Sequence, residues 1–338
     1  MTKLKVAVIG CGRISIMHLN SIKNIEEIEL VGVCDSKKER ADEWAERYCT
    51  KAYYDYEEMF KAEKLDAVHV CLPHYLHSKV AIDCFNHGIN VLIEKPMDVD
   101  YENAEKAVKV AKEKGLKFGV IFQCRYNDSA QLVKKRVEEG KLGKILTARS
   151  ILTWTRPDDY YLGSDWKGTW DKEGGGVVID QAIHSIDLVH WIVNSKVKDI
   201  KCAMFNHGHK IMKVEDTAEG LITYENGVKY GFYAMNNYAI NEPIEIKMAC
   251  ENGKVTFGYN DALIEYNNGE KEEVHQDVYT GHSIKGKEYW GYHHIRQIRQ
   301  FYNAVLGKEE LEISGEEALK THKLIMDLYD IAGVRNKI

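Results

Sequence analysis

Leu4-Lys5-Val6-Ala7-Val8-Ile9-Gly10-Cys11-Gly12-Arg13-Ile14-Ser15 is the stretch on which the reading of this chain turns. Leu4–Ile9 is a short, apolar run that ends in glycine and opens into helix-forming sequence through Ile22. Such a run suits a strand buried on both faces of a parallel sheet. Gly10 permits the tight turn after it, and Gly12 lets the backbone approach a pyrophosphate at the N-terminus of the following helix. Ser15 stands where a third glycine is usual, and it is small enough for close helix–strand packing. A glycine pair alone says little, because many strand–helix turns contain two. Its context says more: Glu29–Cys34 reads as a second strand, and it closes on Asp35.

Asp35 is placed to accept hydrogen bonds from adenosine ribose hydroxyls; the competing reading is a surface aspartate that caps the next helix. A carboxylate there repels a 2′-phosphate, which favours NAD over NADP. Ser36 and Lys37 beside it could offset part of that repulsion, so NADP stays open.

Outward from this turn the alternation continues. Lys37–Tyr48, Tyr56–Ala62, Ser78–Asn86 and Glu102–Lys114 read as helices, and a segment near Tyr53, Ala67–Leu72, Asn90–Ile93 and Lys117–Phe122 as strands. Short apolar runs between amphipathic helices predict a doubly wound parallel sheet, an α/β Rossmann domain over residues 1–124. After about residue 125 the texture changes. A helix over Ser129–Glu139 leads through an aromatic-rich stretch to Gly174-Gly175-Gly176 and a strongly apolar helix, Val177–Val193. Strands are expected over Ile200–Asn206, Thr217–Tyr224, Val228–Ala234, Ile244–Cys250 and Val255–Phe257, with hairpin signals at Asn226-Gly227 and Asn252-Gly253. Helices from about Tyr292 to Val305 and Glu316 to Gly333 close the chain and are free to pack back on the first domain. Residues 125–338 thus read as an α+β substrate-binding and oligomerisation domain with an open, mainly antiparallel sheet.

With 338 residues, 44% apolar and 29% charged, the chain has the composition of a soluble two-domain protein. A formal net charge of −6 offers no footprint for nucleic acid, and no basic block marks a membrane surface. The apolar run at the N-terminus is too short for a signal peptide or a bilayer span. Eight scattered cysteines with no CxxC read as small buried hydrophobes in a reducing cytoplasm. No convincing set of metal ligands is apparent.

Further motifs narrow the reading. Glu94-Lys95-Pro96, with the Gly-Cys-Gly-Arg turn, His18 and Pro73…His77, resembles the glucose–fructose oxidoreductase / inositol dehydrogenase / rhizopine-catabolism family. The resemblance continues at Gly174–Gly176, at Asp180-Gln181-Ala182-Ile183-His184, at Asp187 and in a late His294…Ile298…Phe301 helix. It implies that Lys95 is the active-site lysine, with Asp180 and His184 as catalytic partners. It places Gly10, Gly12, Arg13, Ile14, Asp35, Ser36, Leu72, Pro73, His77, Glu94, Lys95 and Gln123 along the cofactor. It also implies a homodimer or homotetramer, and Tyr224, Tyr230, Phe232 and Tyr233 are expected to leave an apolar outer sheet face needing cover.

The chemistry suits these groups. Oxidising a secondary alcohol removes a hydroxyl proton while hydride leaves the same carbon, and histidine titrates in the right range to accept that proton. His184 follows Asp180 by four residues, so on a helix both project from one face, and Asp180 can orient the imidazole or hold the substrate. Lys95 supplies positive charge where alkoxide character develops. Tyr160, Trp166 and Lys167, in an aromatic-rich segment, suit stacking on and hydrogen bonding to a polyhydroxylated ring. Against these stand plainer readings: a core histidine, a helix-surface pair, an exposed lysine, aromatics packed at a domain or subunit contact. The expectation is an NAD-dependent dehydrogenase of a sugar, sugar derivative or cyclitol that requires no metal. A nucleotide-sugar or sugar-acid 3-dehydrogenase is the alternative, with Arg156, Lys167 or Arg125 meeting an anionic group. A non-catalytic NAD-binding regulator is the alternative from another class.

Overall fold

The computed structural model describes residues 3–275 and 293–335, so Tyr292 lies outside the described residues. The chain divides into two compact units, Met1–Gln123 with Gly291–Lys320, and Cys124–Trp290 with Thr321–Ile338. No helix among the described residues is long and apolar enough to cross a membrane.

The first unit is a six-stranded parallel sheet of β1 (Leu4–Ile9), β2 (Ile28–Cys34), β3 (Lys51–Tyr53), β4 (Ala67–Val70), β5 (Asn90–Ile93) and β6 (Phe118–Val120). Its spatial order is β3-β2-β1-β4-β5-β6, the doubly wound Rossmann arrangement. The order reverses between β1 and β4, and ligands of such sheets bind beyond the carboxyl ends of the strands at that crevice. Val6, Ala7 and Val8 have no exposed surface, as the run around Gly10 demands of a strand covered on both faces. The helices are α1 (Ser15–Lys23), α2 (Lys38–Tyr48), α3 (Tyr56–Ala62), α4 (His77–Asn86) and α5 (Tyr101–Glu113). In α2 only Ala41 and Ala45 are buried, four residues apart on one stripe, while the charged face meets water.

The second unit begins with α6 (Asp128–Glu138), β7 (Ile145–Thr153) and α7 (Asp158–Leu162). A π turn over Val178–Ala182 then runs into α8 (Ile183–Val193). There follow β8 (Val197–Phe205), β9 (Thr217–Tyr224), β10 (Lys229–Met235), β11 (Glu245–Cys250), β12 (Gly253–Phe257), β13 (Asp261–Tyr266) and β14 (Lys271–His275). Of the closing helices, α9 (His294–Val305) belongs to the first unit, where Ile298, Phe301 and Tyr302 enter its core. The other, α10 (Gly315–Ala332), runs from the first unit into the second.

The eight strands order as β14-β13-β12-β11-β7-β10-β9-β8, antiparallel throughout except where β7 runs parallel to β10. Asn226-Gly227 turns β9 into β10 with Gly227 at φ +90°, and Asn252-Gly253 turns β11 into β12. Three expectations need correction. The sequence reading assigns no strand to β7, β13 or β14. The helix expected from Val177 starts as a π turn, so the Asp180–His184 spacing crosses a change of winding. Tyr224, Tyr230 and Phe232 are buried on the inner side of the sheet, so of the four aromatics only Tyr233 stays half-exposed, while Phe205 and Leu221 are exposed. Strand residues alternate between faces, and the pleat sends every second aromatic inward.

Candidate active site

Gly10 sits at φ +98°, and a Cβ built on it would stand 2.4 Å from the Cys71 carbonyl oxygen. The close approach of β4's carboxyl end, as well as the turn itself, therefore requires glycine here. A Cβ on Gly12 would meet nothing within 4 Å, which leaves the open space a pyrophosphate needs at this turn. Ser15 is fully buried, and its hydroxyl donates to the Gly12 carbonyl at 2.6 Å, so the departure from glycine stiffens the turn. Asp35 closes the loop from the other side. One carboxylate oxygen accepts the Cys11 N–H and the other the Lys37 N–H, both at 2.8 Å. A carboxylate has about four acceptor positions, so capacity remains for ribose hydroxyls. Arg13 and Ser36 are exposed, Ile14, Leu72 and Pro73 half-buried, and Gln123 is buried after β6. These residues fit a dinucleotide.

Glu94, Lys95 and Pro96 follow β5, and the Lys95–Pro96 peptide is cis. Lys95 is buried, with 4% of its surface exposed. The His77 ring nitrogens lie 2.6 Å from the Pro96 carbonyl oxygen and 2.7 Å from that of Leu72, tying the turn after β5 to the turn after β4. Glu94 is held by histidines: its Oε1 lies 3.0 Å from His18 Nε2 and 3.3 Å from His294 Nε2. Behind it, His18 Nδ1 meets His69 Nδ1 at 2.6 Å, and His69 Nε2 meets the Tyr302 hydroxyl at 2.5 Å. One set of protons satisfies the whole line: Tyr302 donates to His69, His69 to His18, and His18 to an ionised Glu94. Burial alone would raise the Glu94 carboxyl, but the bonds from His18 and His294 hold it well below the usual range. The donor atoms of His18, Glu94 and His294 also lie within 4.8 Å of one another, a spacing that would suit a metal ion.

In the second unit the polar groups converge on one oxygen. Asp180, in the π turn, accepts at Oδ2 from the Tyr160 hydroxyl at 2.8 Å, from Lys167 Nζ at 3.3 Å and from Gln181 Nε2 at 2.5 Å. Lys167 also donates to the Tyr160 hydroxyl at 2.7 Å and to Glu173 Oε1 at 3.5 Å. Its ammonium lies 4.4 Å from the Tyr160 ring centroid and 4.6 Å from that of Trp166. Burial works against the Lys167 charge, but Asp180, Tyr160 and Glu173 outweigh it and push its pKa well up. Burial, then Asp180, pushes Tyr160 up to about 12. Burial pushes Glu173 up to about 8 despite Lys167 beside it. Two carboxylates, a phenol and one ammonium thus form a preorganised group that can hold a substrate hydroxyl and exchange its proton. His184 is the second residue of α8 and is buried.

Other expected groups are placed differently. Arg125 is committed to a buried bidentate pair with Asp187, at 2.8 Å and 2.6 Å, so it is not presented to an anionic substrate. Arg156 stacks 4.9 Å from the Trp154 ring centroid and donates to the Thr155 carbonyl and Asn241. Sequence reasoning missed Glu173 and Asn236. The last donates from Nδ2 to Gln181 Oε1 and to the Tyr161 hydroxyl, each at 3.0 Å. Nothing in Asp171-Lys172-Glu173 distinguishes its buried acid from the exposed one two residues earlier.

Comparison with known proteins bears on the family and the fold. Residues 4–122 match the oxidoreductase family with an NAD-binding Rossmann fold, and residues 130–256 the GFO/IDH/MocA C-terminal domain. A myo-inositol 2-dehydrogenase of Thermotoga maritima is 26% identical over 66% of each chain. A D-glucoside 3-dehydrogenase of Escherichia coli is 26% identical over 99% of this chain and 97% of its own. Among solved structures, the WlbA dehydrogenase from Bordetella pertussis, in complex with NADH and UDP-GlcNAcA, is 27% identical. It superposes with a TM-score of 0.85 over 98% of this chain and 97% of that one. With both of its domains matched, the chain belongs to the GFO/IDH/MocA family of NAD-binding oxidoreductases.

Proposed function

We propose that this protein oxidises, or forms by reduction, a ring secondary hydroxyl of a sugar, sugar derivative or cyclitol, with Lys95, Asp180 and His184 as its catalytic residues. The observation that carries the reading is the convergence of Tyr160, Lys167 and Gln181 on Asp180 Oδ2, a hydroxyl-binding centre of half-buried polar groups beside the buried Gln181. NAD supplies the hydride acceptor; every other task falls to side chains. The Gly10–Gly12 turn, with Arg13, Ile14 and Asp35, receives the dinucleotide, while Ser36, Leu72, Pro73, His77, Glu94 and Gln123 line its cleft. His184 takes the hydroxyl proton, Asp180 holds the hydroxyl oxygen in line, and Lys95 offsets the charge that develops on it. Tyr160, Trp166 and Lys167 grip the rest of the ring.

A nucleotide-sugar 3-dehydrogenase is the second reading, favoured by the full-length likeness to the WlbA dehydrogenase. One screen tests both. Dialysed protein is mixed with NAD and a panel of inositols, free hexoses, glycosides and nucleotide sugars, and reduced cofactor is followed by absorbance. Turnover of a polyol or glycoside supports the first reading and turnover of nucleotide sugars alone the second. No turnover with any of them counts against both. A homodimer or homotetramer is part of the proposal, with Phe205 and Leu221 on the outer sheet face as the apolar surface to be covered. Light scattering that reports a monomer at micromolar concentration would remove it.

A further inference from the structure

The start of the helix that carries Asp180 and His184 is unusual in having its N–H groups taken up by one neighbouring segment and one distant tyrosine. Helices leave their first N–H groups without internal partners, and buried ones must find acceptors. Here Glu215 Oε2 accepts from Gly176 N at 2.9 Å and Oε1 from Val178 N at 3.0 Å. The Glu215 backbone carbonyl accepts from Val177 N at 3.1 Å. The Tyr329 hydroxyl accepts from Ile179 N at 3.2 Å and donates to Glu215 Oε1 at 2.7 Å. Asp180 N then makes the first internal bond, to Gly176 at 3.0 Å. The Glu215 carboxylate therefore receives three donated hydrogens, which offset part of the cost of burying it. The triple glycine finds its reason here too. A Cβ on Gly175 would stand 2.0 Å from the Tyr329 hydroxyl, and one on Gly176 would stand 1.9 Å from the Glu215 carbonyl oxygen.

The next residue, Asp216, serves the other half of the centre. Its carboxylate accepts the backbone N–H groups of His207, Gly208 and His209 and the Thr217 hydroxyl. It also faces His209 Nδ1 at 3.2 Å, while His209 Nε2 lies 2.6 Å from the Arg156 carbonyl oxygen. Both partners of that ring are acceptors, an arrangement that favours its protonated form, and the bond to Asp216 pushes the His209 pKa up. Through it Asp216 anchors the chain four residues ahead of Tyr160.

We infer that Glu215 and Asp216 are positioning residues for the reaction: Glu215, with Tyr329, fixes the helix start that presents Asp180 and His184, and Asp216, through His209, fixes the segment that presents Tyr160 and Lys167. This rests on the catalytic reading proposed above. Neither acid touches the reacting atoms; each acts through backbone it holds. Small misplacements of a catalytic group are costly, so losing the Glu215 anchor should register in the rate and losing the Asp216 anchor in the grip on the organic substrate, with cofactor binding spared in both.

The test uses the full-length protein with whichever panel compound it turns over. Tyr329→Phe removes one hydroxyl without disturbing the fold's volume, and Glu215→Gln sets an amide nitrogen against an N–H donor. Both should lower kcat, Tyr329→Phe by about tenfold and Glu215→Gln by ~10–100-fold, with the KM for NAD unchanged. Asp216→Asn should instead raise the KM of the organic substrate by about tenfold with a smaller change in kcat, because it loosens the gripping segment. Amide hydrogen exchange should rise at residues 176–183 in the first two variants and at 207–209 in the third. The inference is overturned if, with wild-type protein active and His184→Ala inactive, Tyr329→Phe keeps wild-type kcat per folded molecule and unchanged exchange at 176–183. It is also overturned if all three variants lose activity only in step with their folded fraction. Normal turnover by Asp180→Asn and His184→Ala would instead sink the catalytic reading, whatever Glu215 does.

Discussion

Two buried glutamates in the two units, Glu94 and Glu215, end on opposite sides of the ordinary carboxylate range. Each is at most 5% exposed, and burial raises both. Glu94 nevertheless ends well below the usual carboxylate range, because two imidazoles donate to a single oxygen of it. Glu215, served by two backbone N–H groups and a tyrosine, ends up at about 7, and Glu173, beside the Lys167 ammonium, at about 8. Asp216 is the exception in the second unit: burial opposes its charge, but His209 and a nest of N–H donors hold it low. Burial alone thus does not settle a carboxylate; the balance between burial and the donors does, and it falls to the donors at Glu94 and to burial at Glu215. The lesson is functional as well. The first unit holds its acid low beside the Lys95 turn, whereas in the second burial pushes up Glu173, next to the proposed proton-exchanging centre, and Glu215, at the helix start.

The sharpest way to break the contrast is to separate the units' duties. His184→Ala should lower turnover ~10²–10⁴-fold while NAD affinity, measured by titration, stays near wild type. Lys95→Ala should depress turnover as severely and also weaken NAD, because Lys95 shares the first unit with the cofactor turn. Near-normal turnover in His184→Ala would pass the proton to another group, with Tyr160 the best placed.

A second, smaller effect distinguishes architecture from binding within the first unit. Gly10→Ala places a methyl against the Cys71 carbonyl at a positive φ, and a loss of roughly 1–3 kcal/mol of stability is expected, read as a lower Tm. Gly12→Ala meets no protein atom within 4 Å, so Tm should hold while NAD affinity falls. Equal losses of Tm in both would show that the space at Gly12 is not kept for a ligand.

The smallest expected effect concerns pH. A depressed carboxyl such as Glu94 contributes stability that is present above its unfolded value near 4.5 and is lost as pH falls below it. A raised one such as Glu173 contributes stability that is complete below about 4.5 and is lost as pH climbs through about 8. Glu94→Gln should therefore flatten the acid side of the Tm profile, and Glu173→Gln the side between pH 5 and 8. Identical profiles for the two variants would erase the distinction between the units.

Much of the first unit was legible because its signals are local. The β1 run, the Gly10–Gly12 turn and Asp35 lie within 32 residues, and each obeys a rule of sequence spacing. The two Asn-Gly hairpins of the second unit were legible for the same reason. Its centre was not. Glu215 meets Gly176 across 39 residues and Tyr329 across 114, and no periodicity reports such pairings. The π turn escaped because four-residue spacing looks alike in both windings. Arg125 was misread because a cation in sequence gives no sign that Asp187, 62 residues on, will claim it. Tyr224, Tyr230 and Phe232 fall on the face opposite to the one expected because that placement rests on composition and not on strand register.

The position of β7 has a consequence for how the second sheet can form. Without it, β8–β9–β10 and β11–β14 are two separate meanders, each joined by connections between sequence neighbours. Only β7 links them, by pairing parallel to β10 and antiparallel to β11. Thr147 finds its partner Lys229 across 82 residues. Pairings of that span close slowly, because loop entropy must be surmounted before any contact rewards it. On the ribosome, β7 emerges first and must wait, both edges unpaired, until β10 and β11 have been synthesised. The strand at the middle of the finished sheet is thus the one longest exposed to chaperones, or to another nascent copy of itself.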